Sequence, residues 1–415
     1  MEPRIKINTV DEPLPEADKS SEPSHHELSR WIILVFAVTC GLSVANIYYA
    51  QPLLDVMAAD FAIDPAVIGL VVALTHVGYV VGLLLIVPLG DQINRRKLII
   101  CQITFSVLAL AGLAAAQDVV VLFLAMIVVG MLAVVVQVIV AFTATLAMPH
   151  QQGHAVGLVT GGVVIGILAA RFVSGMLADL GGWRAVYMAS AGCMLIMAVL
   201  LFRVLPSHVP TKKIERYSAI VKSIPALFLQ DSVLRLRGIL AFFIFASFST
   251  LWTAMVLPLS ATPFSLSHTE IGLFGMVGLA GALAASGAGR LADRGFSRGV
   301  TGLSLILLTL SWLLIGLLPF SLPAFVLGVV LLDFAVQAVH VTNQSVIFMA
   351  HPEVRSRLVG GYMVFYSAGS GVGAIASTTL YAHFGWYGVS ALGAFFSLSG
   401  LLFWVLLRGK SSHKT

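Results

Sequence analysis

Polar and apolar positions in this chain alternate on the scale of whole helices rather than single turns. Long apolar runs separated by short polar breaks predict spans at 31–56, 66–89, 97–116, 119–147, 154–179 and 183–204, then 236–260, 270–289, 299–318, 322–349, 357–383 and 386–408. Crossing a bilayer takes about 20 mostly apolar residues, and every one of these segments is long enough. The longest internal polar stretch carries Lys212, Lys213, Arg216 and Lys222 and separates two sets of six spans. The expected fold is therefore all-α and membrane-embedded. It has a tail at 1–29, a six-helix bundle at 30–205, an inter-bundle loop at 206–235, a second bundle at 236–408 and a short tail at 409–415.

Composition agrees: 59% of residues are hydrophobic and only 10% charged. Soluble domains carry roughly a quarter charged residues, so this chain lacks the means to cover itself for water. The first tail, with Glu2, Asp11, Glu12, Glu16, Asp18, Glu22 and Glu27, reads as disordered. His25 and His26 within it are too isolated for a metal site. Cys40, Cys101 and Cys193 each lie in an apolar run, with neither disulfide nor metal-ligand spacing. The net charge of +5 would suggest nucleic acid in a soluble protein, but here loop topology accounts for it. With the N-terminus inside, every Lys and Arg except Arg171 and Arg184 falls in a cytoplasmic tail, loop or helix end, as the positive-inside rule requires. Both termini are then cytoplasmic.

The two sets of spans repeat at an offset of about 203 residues. Ile68-Gly69-Leu70 matches Ile271-Gly272-Leu273, Gly182-Trp183 matches Gly385-Trp386, and Pro149 matches Pro352. Two such bundles are expected to rock about a site between them. Half of the 38 glycines fall in spans two, five, eight and eleven. Small residues let helices approach closely in lipid. The pairs Gly157/Gly161, Gly162/Gly166 and Gly369/Gly373 therefore predict a sliding contact between the bundles.

The loop after span two reads Val87-Pro88-Leu89-Gly90-Asp91-Gln92-Ile93-Asn94-Arg95-Arg96-Lys97, and Gly289-Arg290-Leu291-Ala292-Asp293 repeats it in the second half. Over about 375 residues the chain resembles the major facilitator superfamily, whose G-x-x-x-D-x-x-G-R-R/K loop this is. Val87 and Asn94 replace its two glycines. The resemblance implies that Asp91, Arg95 and Asp293 gate the transporter, with a carboxylate placed near positively polarised helix N-termini. Span five also resembles the family's antiporter signature. Gly153, Gly162 and Gly166 keep its spacing, while Ile167 and Ala170-Arg171 depart from it. The stretch Asn46-Ile47-Tyr48-Tyr49-Ala50-Gln51-Pro52-Leu53-Leu54 is similar to bacterial exporters of the twelve-span drug:proton antiporter branch. Ile127 stands where that branch usually has an arginine, so no coupling scheme based on that arginine transfers. The implied setting is a bacterial cytoplasmic (inner) membrane, and the implied state a monomer.

Ionisable groups deep in a bilayer are costly and mark functional positions. Asp333, near the middle of span ten, is the one acid expected deep in a span, and Gln337, His340 and Gln344 share its face. Tenth spans of the resembled family line the central cavity. This stripe therefore makes Asp333 and His340 the expected proton-coupling residues, and Gln337 and Gln344 part of the substrate pathway. Arg171, in the outer half of span five, would bind an anionic substrate or pair with a carboxylate such as Asp55, unless it snorkels outward. His76 in span two is a weaker candidate. Span one presents Thr39, Ser43, Asn46 and Tyr49 on one face, and span seven presents Ser249, Trp252 and Thr253. Asn46, Tyr49 and Trp252 complete the expected pathway.

These features point to a secondary transporter that exports a small organic molecule against protons by alternating access. The proton gradient supplies the energy and no cofactor is expected. Uptake or facilitated diffusion on the same fold is the alternative. Neither a nucleophile–base set, a metal cluster nor a phosphate-cradling loop is visible, so an enzyme is not expected. A receptor-like sensor would need an output domain larger than the short tail.

Overall fold

The computed structural model describes residues 29–148, 151–206, 217, 231–284, 286–350 and 355–411, without some side chains at helix ends. The predicted disordered tail and most of the inter-bundle loop lie outside the described residues. The two ends of the molecule are called outer and inner after the orientation that the charge pattern predicts.

Capping side chains set several helix starts. Asn94 accepts from the Arg96 N–H at 2.9 Å and opens span three, Arg95–Ala114. Asp118 accepts from Val120 and Val121 and opens span four, which runs as Val119–Ala133 and Val135–Leu146. Asp231 likewise opens span seven, Ser232–Ala254, four residues before the predicted start. Each cap satisfies N–H groups that the helix itself leaves free.

Among the described residues, nine helices are long and apolar enough to cross a membrane. One of them, the 53-residue Gln152–Val204, would be roughly 80 Å long if straight, far more than the bilayer core of about 30 Å. It turns back at Gly182 (φ 78°) and so forms spans five and six. Arg355–Ser411 turns back in the same way at Gly385 (φ 61°), forming spans eleven and twelve. Positive φ is open to glycine at little cost, and these two turns stand 203 residues apart. The shorter His268–Ala284 is span eight. Span one is Arg30–Tyr48, extended by Gln51–Leu53 and Leu54–Asp60; span two is Leu70–Leu85, nine is Ser297–Ile315 and ten is Leu322–Ala350. Leu108, Leu124 and Leu313 are between 58% and 69% exposed, one of many apolar surfaces that suit lipid and not water.

The repeat is three-dimensional as well. A Cβ on Gly78 would overlap the Ile127 carbonyl, and one on Gly281 would press on the Val330 carbonyl. Both members of the second pair stand 203 residues after the first. The glycine pairs correct one expectation. Gly162 and Gly166 lie against Ala37 and Gly41 of span one, and Gly369 and Gly373 lie against Phe242 and Ala246 of span seven. These motifs pack helices inside each bundle, not between bundles. The bundle-to-bundle contact runs through spans two and eleven and spans five and eight, but on single glycines. Gly69 meets Ala374 and Thr378, Gly175 meets His268, and Gly272 meets Arg171 and Phe172.

The two bundles touch at their outer halves. Thr378 and Thr379 donate to the Ala66 carbonyl at 3.1 and 2.9 Å. Toward the inner end, Cβ atoms on Gly157, Gly161, Gly287 and Gly360 would meet nothing within 4 Å. The outer end is shut and the helices part toward the inner end.

Candidate functional site

At the level of the bundle contact, a buried polar cluster joins spans one, five, seven, eight and ten. Asp333 is 1% exposed, and its Oδ1 accepts from the Trp252 indole N–H at 3.1 Å. Its Oδ2 has no hydrogen-bond partner and lies against Gly278, where a Cβ would overlap it. The glycine makes the space the carboxylate occupies.

Arg171 reaches this cluster from the other bundle. It is 1% exposed, so it does not snorkel toward the outer interface. Its Nε donates to Gln51 Oε1 at 2.9 Å and its Nη1 to the Ile167 carbonyl at 3.2 Å. The guanidinium carbon sits 3.9 Å from the centre of the Trp252 ring, with Tyr48 at 5.2 Å and Phe248 at 5.4 Å. Such stacking offsets part of the cost of burying the cation. Nη2 is left without a partner. Trp252 thus presents its face to Arg171 and its edge to Asp333. An unpaired buried charge-bearing atom is expensive, and each of these two groups leaves one without a hydrogen-bond partner.

The expected Arg171–Asp55 pair is absent. Asp55 instead faces His268, whose Nε2 lies 3.1 Å from Asp55 Oδ1 and whose Nδ1 lies 3.2 Å from Asp179 Oδ1. This contact closes the outer end between spans one and five on one side and span eight on the other. It was missed because His268 stands in a polar break with no periodic signal around it.

His340 lies on the same face of span ten as Asp333 but is two turns away, and it has its own partner, the Tyr362 hydroxyl at 2.9 Å. Its ring packs edge-on against Phe245 and lies 6.2 Å from Tyr366. Tyr366 in turn hydrogen-bonds Tyr48 across the bundles and stands beside His76. Gln337 and Gln344 are half-buried on the same helix.

The polar face of span one exists but turns away from the bundle contact. Thr39 bonds its own helix, Ser43 reaches Met194, and Asn46 accepts from Ser190 at 2.6 Å. Tyr49 packs against Tyr187. Asn46 and Tyr49 therefore sit inside the first bundle, against span six, and not on a pathway between bundles. Their neighbours Tyr48 and Gln51 hold the interfacial positions. In span seven, Ser249 and Thr253 bond each other at 3.3 Å beside Trp252.

Of the expected gating residues, Arg95 is well defined. Its Nε donates to the Gly90 carbonyl at 2.8 Å and its Nη1 to Thr145 at 2.7 Å, tying the inner ends of spans two, three and four. The side chains of Asp91 and Asp293 lie outside the described residues.

A cavity of about 1130 Å³ runs along the inner halves of spans one and five, lined by Arg30, Leu34, His154, Leu158, Gly161 and Ile165, among others. It does not include Asp333. Its span-five side continues, at helical spacing, the face that packs on span eight through Leu168, Phe172 and Gly175.

A sequence model described as Major Facilitator Superfamily matches residues 33–238 and again 237–415. The chain is 42% identical to the uncharacterized transporter YgaY of Escherichia coli O157:H7, over 92% of this chain and 96% of that one. It is 24% identical, over 92% and 93%, to a protein of Pasteurella multocida named "Probable sugar efflux transporter". Among solved structures, a bacterial homolog of the human lysosomal transporter Spinster, in an inward-facing conformation, superposes with a TM-score of 0.72. Its identity is 14%, and the match covers 91% of this chain and 94% of that one.

Proposed function

The chain belongs to the major facilitator superfamily, and from that premise we propose that it is a proton-coupled exporter of a small organic molecule, with Asp333 as the coupling site. Membership makes it a multi-pass membrane transporter and not an enzyme. The observation that carries the proposal is the cluster in which Arg171 of one bundle stacks on Trp252 while Trp252 holds Asp333 of the same, second, bundle. A charge on Asp333 favours the cation in place. Protonation removes that attraction, and the contact between bundles weakens at the level where a substrate would sit. A proton on Asp333 also weakens substrate binding there, and this mutual opposition of proton and substrate is the thermodynamic requirement for coupled exchange.

The efflux name of the Pasteurella relative supports the outward direction, as does the partial antiporter signature in span five. In this reading the membrane is the bacterial cytoplasmic one and both termini are inside. His340 serves the proton route from two turns away, and the protein works as a monomer. The test is substrate-dependent proton release from everted membrane vesicles that have been energised to an acid interior. A panel of toxic organic compounds and sugars would be added in turn. Some member of the panel should collapse the gradient with the wild-type protein and not with Asp333→Asn. Transport of that compound at an unchanged rate without a gradient would overturn the coupling.

A further inference from the structure

The outer contact at His268 has a feature that packing alone does not require: both ring nitrogens face carboxylates. Nε2 lies 3.1 and 3.2 Å from the two oxygens of Asp55, and Nδ1 lies 3.2 Å from Asp179 Oδ1. A neutral imidazole carries one N–H and one lone pair. It would satisfy one carboxylate and turn its lone pair on the other. Only the imidazolium donates to both.

The backbone reinforces the arrangement. Asp179 also accepts from the N–H groups of His268 at 3.2 Å and Thr269 at 2.8 Å. These belong to the first turn of span eight, where the helix dipole favours a negative charge. A Cβ on Gly175 would overlap the His268 carbonyl, so the backbones of spans five and eight lie in close contact here. Asp55 and Asp179 belong to the first bundle and His268 to the second. This contact must part whenever the outer ends separate.

We propose that His268, Asp55 and Asp179 form a proton-dependent clasp of the outer gate, held when His268 carries its proton and released when it loses it. The other charged groups nearby are committed elsewhere. Glu270, on the same helix as His268, caps the Ser267 N–H at 2.8 Å, and Arg171, on the helix of Asp179, is turned to Gln51 and Trp252. Two carboxylates facing the two nitrogens of one ring favour its charged form. Closure of the outer end is therefore favoured at low pH, where the ring is charged, and is lost as the pH rises and the ring gives up its proton. The inference needs the bundles to exchange between outer-closed and outer-open states. It does not need proton-coupled export, so its test measures opening and not transport.

The test uses spin labels at Val67→Cys and Ala261→Cys, on exposed outer positions of the two bundles, in a full-length protein with Cys40, Cys101 and Cys193 replaced by alanine and with Asp333→Asn, so that the central carboxylate does not contribute a pH response of its own. In lipid nanodiscs both faces meet the same pH. From about pH 5 to pH 9 the outer-open population should grow roughly tenfold, with a midpoint above that of ordinary histidine. His268→Gln, which retains one donor and does not titrate, should lose the pH response. His268→Lys, charged across this range, should stay closed throughout. Asp179→Asn should move the midpoint down. A distance distribution that does not change with pH while His268 is intact overturns the clasp, as does the same response in His268→Gln.

Discussion

The indole N–H of Trp252 lies 3.1 Å from Asp333 Oδ1, and this one bond fixes the only described interaction of that carboxylate with a hydrogen-bond donor. The ring that donates it also lies under the Arg171 guanidinium. Any movement of Arg171 with the first bundle therefore acts on Asp333 through a rigid aromatic plate. The relation links a titratable group in one bundle to a cation in the other without a direct ion pair, which in a low-dielectric site would hold them far more tightly.

Asp333→Asn isolates the charge. The amide oxygen still accepts from Trp252 and the volume is unchanged, so the fold persists while the attraction to Arg171 is lost. The group no longer binds a proton. Gradient-driven transport should fall by at least about 30-fold, equivalent to roughly 2 kcal/mol, while exchange of substrate down its own gradient continues. Assays in proteoliposomes with and without an imposed pH gradient separate the two. Equal loss of both would mean that Asp333 is structural.

Trp252→Phe keeps a ring under Arg171 and deletes the donor to Asp333. A hydrogen bond to a charged group contributes about 1.5–3 kcal/mol, so coupled transport should drop roughly 10- to 100-fold. Arg171→Lys is the complementary change. It retains the charge but loses the planar stacking and the fork that reaches Gln51 and Ile167, and it should impair transport to a similar extent. Wild-type rates in either variant would remove the plate from the mechanism.

Gly278→Ala tests the same pocket from the opposite side. A methyl group at that position overlaps Asp333 Oδ2, so the carboxylate must shift and its bond to Trp252 must stretch. Overpacking of a fitted site costs about 1–3 kcal/mol. A lowered melting temperature together with weakened coupling is expected. Gly153→Ala, where a Cβ meets nothing within 4 Å, is the matched control and should leave both unchanged.

The frame of this molecule was legible because lipid imposes it. Apolar run length set the spans, and the 203-residue offset reappears as matched glycine contacts and matched turns at Gly182 and Gly385. Asp333 stood out for the same reason, as an acid where acids are costly, and the structure does bury it. What the sequence hid is which neighbour each residue meets. Tyr48 and Tyr49 differ by one position, about 100° around a helix, and that rotation sends one to Arg171 and the other into span six. Arg171 and Trp252 are 81 residues apart, in different bundles, and no local pattern joins them. The Gly162/Gly166 and Gly369/Gly373 pairs announced close packing without saying against what.

Gly157 and Gly161 line the cavity beside span one and continue the face that packs on span eight farther out, yet a Cβ on either meets nothing in this conformation. If the bundles rock about the central contact, the inner halves of spans five and eight must come together as the outer halves part. Gly157→Leu and Gly161→Leu should then fold normally and keep the outer end shut, because the added side chain fits the open state and obstructs the closed one. Transport should be lost with little change in melting temperature. Gly166→Leu should behave differently, since its side chain would overlap the Gly41 backbone inside the first bundle and lower stability in every conformation. Spin-label distances across the outer end, combined with thermal unfolding, distinguish trapping from misfolding. Full transport by Gly161→Leu would show that this face does not close on span eight.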